Sequence, residues 1–385
     1  MRYRVPDYYK QFNCLAGECP NTCCAGWQIE IDEKSLIKYI KFKNKQHPFG
    51  SRLFNGVNWK EGVFLQDEEQ RCEFLNEENL CDIYSGAGKR MLCKTCKTYP
   101  RHIEEFEDRR EISLVLSCPE AARIILSKED RVTFREMQKK RPKDHYEDFD
   151  AVLFAVLAKA RDYLIDIAQE RSVSLSDRMA KILLYGYDLQ LCIRRGELKK
   201  YKGIERAHRK SGFGEHFQML HAKAAPAEGS RYFLIQKVWE LWLAELEVLK
   251  PVWPAYINKC MGALYSQGEE VYLAWRERFL ETYKDWETEC EQLLVYWIYT
   301  YFAGAAYDRN ACTKLKFAVI NTILILEMDI ARYIEMDGAF EKPDQIKLCM
   351  DYSREIEHSD VNLERMEKLL GGSVLFDLVN LLTMI

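Results

Sequence analysis

The stretch Cys14-Leu15-Ala16-Gly17-Glu18-Cys19-Pro20-Asn21-Thr22-Cys23-Cys24-Ala25-Gly26-Trp27 decides how the N-terminal third of the chain is built. Four thiols crowd a run broken by Gly and Pro, with neither helical nor strand periodicity and too few apolar residues to make a core. Further along come Cys72-x8-Cys81, then Cys93-x2-Cys96, then Cys118. Nine of the 14 cysteines thus precede residue 119, while Cys192, Cys260, Cys290, Cys312 and Cys349 are isolated in helical-looking sequence and read as small core residues. A Cys-x2-Cys pair lets one tight turn aim two thiolates at one metal, in zinc and iron–sulfur sites alike. Thiolates gathered from loops replace the apolar core that so irregular a segment cannot supply. Adjacent Cys23 and Cys24 diverge unless the backbone bends sharply, so one ligates while the other serves a second site or packs. Thiolate chemistry alone leaves zinc and iron level, and His102 stands at no ligand spacing.

The chain has 385 residues, room for two or three domains, with 48% hydrophobic and 30% charged residues, as in soluble globular proteins. A net charge of −4 and the lack of a basic stripe argue against nucleic-acid binding. The start, MRYRVPDYYK, lacks the apolar run of an export signal. Leu293 to Tyr307 is too short and too rich in Tyr for a membrane span. The expectation is a cytoplasmic protein with reduced thiols, and so metal rather than disulfides.

The expected fold class is mainly α: a small irregular Cys-rich metal-binding domain at 1–138 joined to a larger all-α helical domain at 139–385. The boundary is the charge run Lys139-Lys140-Arg141-Pro142-Lys143-Asp144. Before it, Gln28–Asp32 and Glu111–Leu116 alternate like strands, Asp32 caps a helix reaching Lys43, and Pro119 opens another. After it, helical periods cover Phe149–Glu170, Ser176–Gly196, Arg231–Lys250, Gly268–Tyr307, Thr313–Met336 and Lys342–Leu370.

No Gly-x-Gly-x-x-Gly follows a strand, so the usual Rossmann donor site is absent. Ser85-Gly86-Ala87-Gly88-Lys89 fails the P-loop spacing and reads as a turn. Tyr296, Trp297, Tyr299, Tyr301, Phe302 and Tyr307 crowd one helix; such faces attract sulfonium and methylammonium cations, although a bundle core looks the same. Tyr352, Glu355, His358 and Asn362 share a helical neighbourhood and form a polar patch able to bind a substrate lysine or a methyl donor, or simply to be solvated. Tyr99 and Arg101, beside the Cys-x2-Cys turn, are candidates to hydrogen-bond a metal centre's ligands.

The segments Phe12-x-Cys14, Cys19-x3-Cys23-Cys24-Ala25-Gly26-Trp27, Arg71-Cys72-x-Phe74-Leu75, Leu80-Cys81-x-Ile83, Leu92-Cys93-x2-Cys96-x2-Tyr99-Pro100-Arg101 and Ser117-Cys118-Pro119-Glu120-Ala121-Ala122 resemble the flagellin lysine-N-methylase family. The N-terminal part of that family is similar to the broader zinc- or iron-chelating CxxCxxCC group. Tyr352-Ser353-Arg354-Glu355-Ile356-Glu357-His358-Ser359 and Asn362-Leu363 resemble the family's tail. The resemblance implies methyl transfer from S-adenosyl-L-methionine to flagellin lysines, with a [4Fe–4S] cluster, which tips the metal toward iron. All nine N-terminal cysteines are carried as metal candidates, Cys93, Cys96, Cys19 and Cys23 first. The catalytic candidates are Tyr352, Glu355 and His358. Cys24 directly after Cys19-x3-Cys23 breaks the Cys-x3-Cys-x2-Cys triplet of radical enzymes. Polar transfer suffices: holding a lysine neutral at pH 7 costs roughly 4.6 kcal/mol, which an apolar pocket with an acceptor supplies. The competing reading is a zinc-stapled interaction or metal-handling protein without catalysis.

Overall fold

The computed structural model describes residues 1–43, 47–210 and 229–385, and helices dominate them, as the sequence periods require. Among the described residues no helix is long and apolar enough to cross a membrane.

Among the described residues six strands occur: β1 (Arg2–Pro6), β2 (Val57–Asn58), β3 (Val63–Phe64), β4 (Arg101–Phe106), β5 (Arg109–Leu114) and β6 (Phe134–Gln138). Four of them form one sheet in the order β4-β5-β1-β6. β4 and β5 are an antiparallel hairpin; β1 slots in parallel to β5, with Arg2 opposite Arg109, and antiparallel to β6, with Val5 opposite Arg135. The helix Trp286–Tyr301 lies against β5. There Glu111 is 2% exposed and takes a charge-assisted hydrogen bond from Arg161 Nη2 at 2.7 Å; Arg161 itself is fully buried. Two desolvated charges hold only because they are paired, and this pair fastens the sheet to the helical body.

At the centre of that body runs the helix Ala311–Glu335, buried almost all round, the mark of a core rather than a surface helix. The helices Leu175–Arg194, Trp286–Tyr301, Trp253–Tyr265, Lys342–Glu357 and Asp360–Gly372 pack on it. Their core is continuous with Phe106, Leu114, Leu116 and the helix Pro119–Leu126. A second, smaller core gathers Ile29, Ile31, Tyr39, Leu53, Val57, Phe64, Phe74, Ile83 and Met91 with Cys72 and Cys93.

Several expectations shift. Gln28–Asp32 forms no strand, only a bridge from Glu30 to Val63. The helical period at Gly268–Tyr307 divides into Glu269–Thr282 and Trp286–Tyr301, and that at Lys342–Leu370 divides where Ser359 Oγ caps Asn362 N at 3.0 Å. The helices Tyr201–Lys210, Trp253–Tyr265 and Leu378–Met384 were not foreseen. Residues 85–87 belong to the short helix Asp82–Ala87, which turns out at Gly88 with φ +81°. The aromatic run is core: Tyr296, Trp297, Tyr299 and Phe302 are buried, and the Tyr296 and Tyr301 hydroxyls both donate to Glu357, at 2.5 and 2.6 Å.

Candidate metal centre and adjoining aromatic pocket

The local folds explain where the thiols stand. Gly26, at φ +82°, lets the chain turn after Cys24, while Trp27 Nε1 donates to the Cys23 carbonyl at 2.8 Å and Cys72 N to the Cys24 carbonyl at 2.7 Å. Cys81, Cys93 and Cys118 each occupy the N-cap of a helix, and Cys96 N donates to the Cys93 sulfur at 3.5 Å. The backbone N–H groups there oppose burial, which nonetheless raises the Cys81 and Cys118 thiols. Asp32 caps twice: it accepts from Ser35 N at 3.1 Å, starting the helix Glu33–Lys43, and from Lys94 N at 2.7 Å, starting the helix that carries Cys96.

Several of the nine candidates lie near one another although their segments are distant in the chain. Cys23 senses the charge of Cys24, Cys14 and Cys118, while Cys72 senses Cys24, Cys81 and Cys93. Burial pushes the Cys72 thiol up to about 12 and the Cys118 thiol up to about 11. The neighbouring thiols Cys23 and Cys96, through hydrogen bonds, bring Cys24 and Cys93 down to about 7. All 14 cysteines are free. Among the described residues no three His, Cys, Asp or Glu side chains stand at the spacing of one metal ion. Four thiolates on zinc each sit about 2.3 Å from it; a multi-iron core holds its thiolates farther apart. The donor set is thiols only, which suits zinc and iron alike.

Arg354 joins this cluster to the body. Its Nε donates to the Ser117 carbonyl at 3.1 Å, Nη1 to Asn21 Oδ1 at 2.6 Å and Nη2 to the Asn21 carbonyl at 2.9 Å. One buried guanidinium thereby holds both the Cys19–Cys23 loop and the segment entering Cys118. Beside it, His358 Nε2 bonds Ser117 Oγ at 2.8 Å, and Ser117 Oγ bonds the Tyr99 hydroxyl at 3.2 Å. The imidazole lies 4.6 Å from the Trp27 ring, and its buried Nδ1 has no partner. Burial, and after it the charges of Arg354 and Lys250, lowers His358 to about 3, so it is neutral at neutral pH. Tyr99 senses Cys118 and Cys23. Arg101 is placed differently: it donates to the Tyr9 hydroxyl at 3.0 Å and stacks over Tyr9 and Phe12, bracing the chain that leads into Cys14.

Tyr352 and Glu355 face the other way, into a pocket of about 20 Å³ lined by Trp239, Trp242, Trp253, Ile257, Tyr352 and Glu355. That is room for a water or an ammonium head. Val248, 47% exposed, stands at its lining as well, so the pocket reaches the surface at the 246–250 loop. That loop is pinned from below. Glu355 accepts from Leu249 N and Lys250 N, each at 3.0 Å, and Asn362 exchanges hydrogen bonds with the Glu247 backbone at 2.8 and 3.0 Å. Burial raises Glu355 to about 7 against the opposing backbone N–H bonds. The Tyr352 hydroxyl donates to Asn321 Oδ1. Tyr352 and Glu355 thus share one site, while His358, one turn on, belongs to the thiol side.

Residues 161–384 match the FliB lysine N-methylase C-terminal domain, more than half of the chain. The chain belongs to the FliB lysine N-methylase family. Residues 13–114 match the CxxCxxCC family, described as a "Putative zinc- or iron-chelating domain", a span that holds eight of the nine candidate cysteines and omits Cys118. The chain is similar to the lysine-N-methylase of Salmonella typhimurium strain LT2, 28% identical over 137 residues, which are 34% of this chain and 34% of that protein. It is also similar to the flagellar biosynthetic protein FliU of Salmonella muenchen, 28% identical over 137 residues, 34% of this chain and 80% of that protein. The match thus spans about a third of the length of the curated lysine-N-methylase. No solved structure matches. Within this FliB-family chain, sequence reasoning missed Arg354, Ser117 and the three indoles. Arg354 lay inside the tail motif without a role, and the tryptophans are scattered along two helices whose convergence only the fold reveals.

Proposed function

We propose that the chain is a protein-lysine N-methyltransferase of the cytoplasm that moves a methyl group from S-adenosyl-L-methionine to lysines of flagellin and carries a [4Fe–4S] cluster on its N-terminal thiols. In this reading residues 1–138 form the cluster-bearing part and residues 139–385 the body on which it is mounted. The observation that carries it is the aromatic pocket with its buried carboxylate. Three indoles, a phenol and Glu355 suit an ammonium head, because aromatic faces and a carboxylate both attract cations. A lysine entering it loses solvation, which favours its neutral form, and Glu355, poised at about 7, accepts the proton. The freed amine then has a lone pair for the methyl group. The donor, when bound, supplies an electrophilic sulfonium methyl. Tyr352 shapes the wall, and neutral His358 acts as a positioning residue through Ser117 on the segment that carries Cys118.

Anaerobically purified protein, incubated with methyl-labelled S-adenosylmethionine and flagellin, is expected to label lysine, and Glu355→Gln is expected to lower the rate by about 10²–10⁴-fold. No lysine label from iron-replete protein contradicts the reading. The competing reading, a zinc-stapled protein without catalysis, requires colourless protein with stoichiometric zinc.

A further inference from the structure

We propose that the thiol-bearing turn at residues 19–26 sets the shape of the aromatic pocket, with Arg354 as the positioning residue between them. For the pocket's ligand, a lysine head, this rests on the reading above.

One helix, Lys342–Glu357, touches both sites. Tyr352 and Glu355 line the pocket. Arg354 stands between them in the chain, is 4% exposed and directs its donors away from the pocket. Asn21 Oδ1 and the Asn21 and Thr22 carbonyls accept at 2.6, 2.9 and 3.5 Å, and the Ser117 carbonyl at 3.1 Å. These are neutral oxygens, and a planar guanidinium meets them all in only one orientation. A donor left unmet in the interior is costly, so the turn and the helix hold one register.

The loop at the pocket's mouth is tied to the same helix. Leu249 N and Lys250 N donate to Glu355, and Lys250 Nζ pairs with Asp351 at 3.3 Å, one turn before Glu355. The Lys250 stem also runs past the turn: a Cβ on Gly26 would stand 3.6 Å from Lys250 Cε. The pocket holds only about 20 Å³ and so has no slack. Moving the helix against the loop changes that volume and lengthens the 3.0 Å bonds that fix Glu355. A misplacement of about 1 Å in a reacting site costs on the order of 10²-fold in rate. Arg354 is where such a shift enters, because it is bonded to the turn and adjoins Glu355 in the chain.

The test is calorimetric titration of the full chain with n-butylammonium chloride, a lysine head without its backbone, together with hydrogen exchange at residues 246–250. Asn21→Ala changes the turn alone and Arg354→Lys the link alone, compared with the parent at equal metal content. Each is expected to weaken n-butylammonium binding by about 5-fold or more. Each should also speed exchange at Leu249 and Lys250, while Ala311–Glu335 stays as protected as in the parent. The double variant should bind no more weakly than Arg354→Lys, because both changes break one connection. Should one variant fail to fold, the other decides alone. Unchanged binding and unchanged exchange in the variants overturn the proposal and leave the lysine reading intact. Additive losses, or protection lost throughout the body, overturn it as well, since either makes Arg354 a general support. A parent chain that binds no n-butylammonium contradicts the lysine reading instead, and exchange at Leu249 and Lys250 then decides the coupling.

Discussion

Around the helix Ala311–Glu335 side chains from most of the long helices close on one another, and Leu315, Ala318, Leu324 and Ile330 have no exposed surface at all. In the Cys-rich region the whole core is eleven buried residues, two of them cysteines, wrapped in turns and isolated bridges. The first region gains its stability from apolar burial, about 25 cal/mol for each Å² withdrawn from water. The second gathers far fewer buried residues among its turns, and in the proposed reading the rest of its order comes from cross-linking by a metal. In that reading one chain contains a part that folds on its own contacts and a part whose folding is linked to what its sulfurs hold.

The largest expected effect breaks the contrast at its weaker side. Cys93→Ser should remove metal and order together in residues 24–96, seen as rapid proteolysis there with little loss of helical circular dichroism. On the stronger side, Leu324→Ala should lower unfolding stability by about 2–5 kcal/mol while metal per folded chain stays constant. Glu111→Ala leaves Arg161 charged and buried without its partner, and a loss of about 3–5 kcal/mol in denaturant unfolding is expected. An effect confined to the Cys-rich region would show that the sheet belongs there instead of with the body.

Glu355→Gln sharpens the comparison through pH. Burial raises this carboxyl from 4.5 to about 7, so the native state keeps a proton that the unfolded chain releases. Stability therefore falls as pH rises from 4.5 to about 7, by about 3 kcal/mol in all. The variant should lose that slope. His358 runs in the opposite sense: held down at about 3 against 6.5, it costs stability as pH falls below 6.5. That slope should survive in Glu355→Gln and disappear in His358→Asn. The smallest effect is expected from Cys260→Ser, a buried thiol of the body, with metal content unchanged and stability lowered by about 1 kcal/mol.

The helical body was legible because long periodic segments announce themselves. Phe149–Glu170 and Thr313–Met336 are recovered within a few residues as Ala151–Ala168 and Ala311–Glu335. Breaks were not legible at Tyr283–Asp285, where neither Gly nor Pro interrupts the period. At Ser359 the cap residue was visible, but the apolar spacing ran on through it. Of the sheet only β5 was read, as Glu111–Leu116, and the rest escaped for a different reason. β1 and β6 are five residues each and gain meaning only from partners more than a hundred positions away, as Arg2 opposite Arg109 illustrates. The thiols were legible as a set, because residue type and density sufficed. Their neighbours were not, since only the fold brings Ser117, beside Cys118, and Asn21, in the Cys19–Cys23 loop, onto the one guanidinium of Arg354. Likewise Glu355 and His358 shared one polar patch in sequence, whereas in the fold Glu355 bonds the 249–250 backbone and His358 bonds Ser117.

Hydrogen exchange by mass spectrometry, on protein as isolated and after anaerobic chelation, tests most directly whether bound metal orders one region and apolar burial the other. Loss of protection throughout residues 24–96, with Ala311–Glu335 and Trp286–Tyr301 still protected, is the predicted result. Equal protection of residues 24–96 with and without metal, or a simultaneous collapse of both regions, contradicts it.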